Sequence, residues 1–125
     1  MSHVQIIAEI GTAHGGSIER CRQLIQSAKG AGADTAKFQI VYAREILHPK
    51  SGIVPLPGGD IPLYERFTAL ELPLDFYRQC KAICDGEHIG FLCTPFGMES
   101  AQELTTLSPQ AVKIASPELN YLDLI

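Results

Sequence analysis

Four short segments dense in apolar residues, 5–10, 35–40, 89–93 and 111–115, are separated by stretches in which apolar residues recur every three or four positions. The short segments have strand length, and the spacing between them is helical. After the first, Ile18, Cys21, Leu24, Ile25 and Ala28 predict an amphipathic helix over 17–32, with Ser17 as N-cap and Gly32 as the stop. Phe76, Tyr77, Cys80, Ile83 and Cys84 form one stripe and predict a second helix over 74–85, with Pro73 at its start and Gly86 helping to end it. A third helix is predicted over 98–107, with Ala101, Leu104 and Leu107 on one side and Pro109 beyond its end. Alternating strands and crossover helices imply a parallel sheet with right-handed connections, so the expected class is α/β.

Residues 41–73 break this rhythm. They contain Pro49, Pro55, Pro57, Gly58, Gly59 and Pro62, and an irregular connection of that length inside a compact domain is usually functional or mobile. A short helical turn is expected over 64–70. The insertion would lie above the C-terminal ends of the strands, where βα loops carry substrate contacts. At the other end, residues 120–125 read as the N-cap and first turn of a further helix, so the expected unit stops part-way through.

Parallel strands covered by helices should be almost wholly apolar, so polar residues within them are informative. Glu9 closes the first strand before Gly11, and the second carries Lys37 and Gln39 two residues apart, facing one side while Phe38 faces the other. The third runs into Thr94-Pro95-Phe96, and the fourth holds Lys113, with Ser116 and Glu118 just after it. All lie at or beyond the C-terminal halves of their strands. Glu9, Lys37, Lys113 and Glu118 could form a buried ionic network, but desolvation largely cancels the Coulomb gain of such networks. Charge at strand ends in an α/β sheet points instead to a site. Two lysines on neighbouring strands, with Thr94 and Ser116 as hydroxyl donors, suit a small dianion or trianion.

Composition narrows the function further. The 125 residues suffice for one domain or a piece of one; 46% are hydrophobic and 19% charged, which excludes a disordered chain. A formal charge of -4 without a basic face makes nucleic acid an unsuitable partner, and no apolar run approaches a membrane span. Without a secretory signal, the expected compartment is cytoplasmic. Cys21, Cys80, Cys84 and Cys93 lack CxxC spacing and read as buried free thiols, with zinc the lesser alternative. His14, in a Gly-Gly loop before a helix, gives only a weak phosphate-loop signal, and His3, His48 and His88 are expected to face solvent.

Taken together, Ala8-Glu9-Ile10-Gly11 with His14, Gly16 and Ser17, then Ala31-Gly32-Ala33-Asp34, Lys37-Phe38-Gln39, Thr94-Pro95-Phe96 with Glu99-Ser100, and Lys113-Ile114-Ala115-Ser116 with Glu118 resemble the sialic acid synthase family. The matches run in order from residue 6 to residue 124 outside the insertion. The resemblance implies a TIM (β/α)8 barrel of which residues 1–125 supply about the first four βα units, a half-barrel. The later half and the small antifreeze-like domain common in the family would lie beyond it. It also implies condensation of phosphoenolpyruvate with an N-acetylmannosamine-type amino sugar to a sialic acid.

By residue, the resemblance places Lys37, Thr94, Lys113 and Ser116 on the carboxylate and phosphate of phosphoenolpyruvate. Glu9, Gln39 and Glu118 fall on the sugar side and the reacting centre, with Glu9 and Glu118 as candidate proton carriers. A divalent metal, Mn2+ or Mg2+, is implied, held by histidines of later strands. Ala13 stands where the family usually has Asn, Pro117 where it has Gly, and Gly97 where it often has Asp. These departures and the insertion leave the sugar open among sialic, legionaminic, pseudaminic and spore-coat types. The open edges of four strands also suggest a homo-oligomer, a dimer, and admit a different function: a non-catalytic, anion-binding half-barrel used in assembly.

Overall fold

The computed structural model describes residues 4–57 and 59–125. In chain order the elements are β1 (Ile7–Gly11), α1 (Ile18–Gly30), β2 (Thr35–Gln39), α2 (Ala43–Ile46), β3 (Ile53–Leu56), β4 (Gly59–Pro62), α3 (Leu63–Thr68), α4 (Leu74–Gly86), β5 (Gly90–Thr94) and α5 (Met98–Thr105), followed by a 3-10 turn, Ser116–Glu118. The sheet order is β1-β2-β5 and every pairing is parallel. The predicted α/β architecture is therefore present.

One face of this sheet is closed. Ala36 and Phe38 of β2, with Phe91 and Cys93 of β5, are buried against Cys21 and Ile25 of α1 and the Phe76, Tyr77, Cys80, Ile83 and Cys84 stripe of α4. Phe38 and Phe91 stack with centroids 5.4 Å apart, a contact worth about 0.5–1.5 kcal/mol beyond its buried area. Ser17 caps α1, its Oγ accepting the Arg20 N–H at 3.2 Å. The opposite face presents the alternate residues, and there β2 offers half-buried Lys37 and Gln39.

Three expectations change. Residues 111–115 form no strand: a single parallel bridge joins Val112 to Cys93, with the Lys113 N–H donating to the Cys93 carbonyl at 3.0 Å. The segment lies between Pro109 and Pro117, and no further strand pairs with it among the described residues. Residues 120–125 form successive turns, with Tyr121 N–H on the Glu118 carbonyl and Leu124 N–H on that of Tyr121. Leu122 is 81% exposed there, so the segment lacks the tertiary cover that stabilises a short helix. The insertion, finally, is not irregular throughout: besides α3 (Leu63–Thr68), where a short helical turn was expected, it holds α2 and an antiparallel β3–β4 hairpin.

Candidate functional site

The parallel register assembles the centre of the site. Glu9 lies beside Lys37, and Gln39 beside Thr94, on the sheet face not covered by α1 and α4. Lys37 Nζ forms an ion pair with the Glu9 carboxylate. The β1 register slips between Glu9 and Gly11, and Gly11 takes φ +55°. A Cβ at Gly11 would stand 3.0 Å from Glu9 Oε1, so glycine both accepts the backbone angle and leaves room for the carboxylate.

Thr94 is buried and its Oγ1 has no hydrogen-bond partner among the described residues. The Val112–Cys93 bridge sets Lys113, one residue on, level with Thr94, so β5 lies between Lys37 and Lys113, which were expected on neighbouring strands. Ser116 and Glu118 follow on the 3-10 turn, where Ser116 is exposed and Glu118 Oε2 is buried without a partner among the described residues. An orphaned buried oxygen costs about 1–3 kcal/mol, so each of the two marks a place where a further donor belongs. Glu9, Lys37, Gln39 and Thr94 are thus gathered on neighbouring strands. No side-chain hydrogen bond or ion pair ties Lys113, Ser116 or Glu118 to them among the described residues, so half of the conceivable ionic network forms, the Glu9–Lys37 half.

His14 is more deeply placed than its loop position suggested. Its ring is 2% exposed, packed 4.7 Å from the Phe76 ring centroid and 6.5 Å from that of Phe38. Nδ1 accepts the Gly16 N–H at 3.1 Å, while Nε2 is buried without a well-formed hydrogen bond among the described residues. Burial holds its pKa below the ordinary value, against a smaller opposing effect of the Gly11 carbonyl. Next to it a cavity of about 100 Å³ lies between Thr12, Gly15 and Gly16 of the β1–α1 loop and Ala69, Leu70 and Leu72 at the end of the insertion. His48 and His88 are exposed, as expected; His3 lies outside the described residues.

A polar clasp that pattern reading missed joins α2 to α5. Glu45 Oε1 accepts the Glu99 N–H at 2.7 Å, and both Glu45 oxygens lie 3.3 Å from the Ser100 nitrogen. Arg44 holds the Glu99 carboxylate through Nη2 at 2.6 Å and Nε at 3.0 Å, and its guanidinium lies 4.7 Å from the Tyr42 ring centroid. Tyr42 Oη donates to Glu103 Oε2, and burial followed by this carboxylate raises the phenol pKa. Arg44 and Glu45 follow a predicted strand with no helical period long enough to mark them, so only the tertiary contact reveals the clasp.

A groove of about 510 Å³ lies at the other end of the strands, lined by Asp34, Thr35, Lys81, Asp85, His88 and Gly90 among others. Ligands of parallel α/β sheets sit at the carboxyl ends of strands, so this groove is set aside as the candidate. The four cysteines are buried and free, with Cys21 Sγ 3.1 Å from Cys80 Sγ. Among the described residues no group of three or more His, Cys, Asp or Glu is placed to hold a metal ion, and no helix is long and apolar enough to cross a membrane.

Residues 24–125 match the NeuB family. The chain belongs to the NeuB family. Among its relatives, the spore coat polysaccharide biosynthesis protein SpsE of Bacillus subtilis is 34% identical, over 98% of this chain and 33% of the relative. The N,N'-diacetyllegionaminic acid synthase of Campylobacter jejuni is 32% identical, over 98% of this chain and 38% of the relative. Among solved structures, the N-acetylneuraminic acid (sialic acid) synthetase of Leptospira borgpetersenii superposes with a TM-score of 0.84 at 24% identity, over 98% of this chain and 40% of that one. That likeness establishes the shared fold. This NeuB chain spans a third to two-fifths of the length of the proteins it matches.

Proposed function

We propose that this NeuB chain is the N-terminal half-barrel of an enzyme that condenses phosphoenolpyruvate with an N-acetylmannosamine-type amino sugar to a nonulosonic acid. The observation that carries the reading is the polar row of Glu9, Lys37, Gln39 and Thr94 on the uncovered sheet face, with Thr94 Oγ1 and Glu118 Oε2 left without partners. Exposed apolar side chains support the half-barrel: Ile7 is 46% exposed on β1 and Val112 43% exposed beside β5, as expected where further strands close the sheet. The names of the relatives place legionaminic, pseudaminic and sialic acids and spore-coat polysaccharide within the family's range.

In this reading Lys37 and Lys113 balance the phosphate and carboxylate charge, and the Thr94 and Ser116 hydroxyls donate to their oxygens. C3 of phosphoenolpyruvate bonds to the sugar aldehyde carbon, water adds at C2, and the C2–O bond breaks to release phosphate. Gln39 lies on the sugar side, and Glu9 or Glu118 carries protons between water and the reacting oxygens. Holding the reactants in contact is the main contribution of such a face. The divalent metal implied by the resemblance would take its ligands from later strands, and among the described residues no group of three or more His, Cys, Asp or Glu is placed to hold it.

Phosphate release from phosphoenolpyruvate with each candidate amino sugar, measured on the full-length protein and on Lys37→Ala and Lys113→Ala variants, tests the reading. Sugar-dependent release that collapses in both variants is the expected result. Anion binding without release for any sugar would leave a binding or assembly module, and a mass measurement in solution reports the dimer.

A further inference from the structure

We propose that Glu45 is a positioning residue that ties segment 41–73 to the β5–α5 loop and so sets the geometry of the amino-sugar side of the site; this rests on the function proposed above. The N-terminus of α5 lacks half of its cap. Ser100, the third helical residue, does its part, with Oγ 3.2 Å from both the Phe96 and Gly97 nitrogens. The reciprocal bond requires a side chain at the N-cap, and Gly97 has none. The waiting N–H groups of Glu99 and Ser100 turn instead to the Glu45 carboxylate.

In its present position Glu45 fills the space that a side chain at position 97 would need. A Cβ on Gly97 would come within 2.5 Å of Glu45 Cδ and 2.8 Å of its Cγ, distances that real Cβ atoms do not adopt. A local Asp or Ser would cap α5 as well as Glu45 does. What Glu45 supplies beyond a local cap is a link between two segments. Its own segment starts just beyond β2, which carries Lys37 and Gln39, and the helix it caps begins four residues after Thr94. Arg44 on Glu99 and Tyr42 on Glu103 reinforce the same join. At its far end the segment closes on the β1–α1 loop, where a Cβ on Gly16 would meet Leu72 Cδ2 at 3.2 Å. The insertion therefore touches both the start of α5 and the β1–α1 loop.

The test separates capping from tethering. Glu45→Ala removes both; Glu45→Ala with Gly97→Asp returns a local cap and leaves the segment without the Glu45 tie, held only by Arg44 and Tyr42. In the full-length protein, amide hydrogen exchange at Glu99 and Ser100 reads the cap, exchange across 43–70 reads the tether, and separate KM values read the two substrates. The double variant is expected to recover protection at Glu99 and Ser100 while 43–70 exchanges fast. Its KM for the amino sugar stays raised about tenfold, as for a misplaced substrate, with KM for phosphoenolpyruvate unchanged. Glu45→Gln, which keeps an acceptor oxygen, should stay close to the native KM. Recovery of 43–70 protection or of the sugar KM in the double variant would overturn the proposal. If the native protein condenses nothing, the proposed reaction fails, and the exchange measurements still decide the tether.

Discussion

Lys37→Ala is the sharpest probe of the anion face. Lys37 stands between Glu9 on β1 and Leu92 on β5, its side chain 17% exposed and paired with Glu9. Losing a charged hydrogen bond to phosphate or carboxylate costs about 1.5–3 kcal/mol, which raises the Kd for phosphoenolpyruvate about 10- to 150-fold. The variant also strips Glu9 of its counter-charge. At an effective dielectric of 20, a carboxylate about 6 Å from a unit of anion charge repels it by about 3 kcal/mol before screening, and this repulsion acts with or without Lys37. By the same reasoning Glu9→Gln frees Lys37 and should tighten binding, and Lys37→Ala with Glu9→Gln should bind better than Lys37→Ala alone. Calorimetric titration of phosphoenolpyruvate into the full-length variants measures all three. Unchanged affinity in Lys37→Ala, or weaker binding in Glu9→Gln, would refute the assignment of this face.

Other outcomes follow from the core and its rim. Because burial lowers the folded pKa of His14 below its ordinary 6.5, the stabilisation due to neutral His14 is complete above that value and is lost as pH falls from it toward the folded pKa. Urea unfolding from about pH 7.5 to about pH 5.5 should show a slope that His14→Gln flattens, and an equal slope in the variant would count against it. Burial pushes the Cys84 and Cys93 thiols up to about 12, so an aromatic disulfide reagent at mildly alkaline pH should label the native chain slowly and all 4 cysteines once denatured. Rapid native labelling would contradict that packing. Gly90→Ala would place a Cβ 2.7 Å from Thr35 Oγ1 and 3.2 Å from the Asp34 carbonyl, and should cost about 1–3 kcal/mol in a denaturant titration.

The parts of this molecule legible in its sequence are those governed by local period. α1 and α4 announce themselves through stripes that pack on the sheet, and the alternation of Lys37, Phe38 and Gln39 correctly divides the two faces of β2. Residues 111–115 look equally strand-like, but a strand also needs neighbours, and period says nothing about whether they are present. His14 gave a weak signal because its burial comes from Phe76, sixty-two positions away in the chain. Arg44 and Glu45 gave none: their meaning depends on a glycine in another loop, and an absent side chain leaves no pattern to read. The family motifs nonetheless marked Glu9, Lys37, Gln39 and Thr94, since parallel pairing turns residues far apart in sequence into neighbours.

One contact bears on how this fold can change. The Ala43 N–H donates to Glu71 Oε1 at 2.7 Å, fastening the beginning of the long insertion to its end. The β3–β4 hairpin lies between these two points, so the contact lets β2 and α4 keep their spacing whatever the hairpin's length. For a flexible loop, doubling the length costs only about 0.6 kcal/mol in closure entropy. The hairpin can therefore be lengthened, shortened or exchanged as a cassette while the sheet beneath stays as it is, and recognition of new ligands can evolve there at little risk to folding.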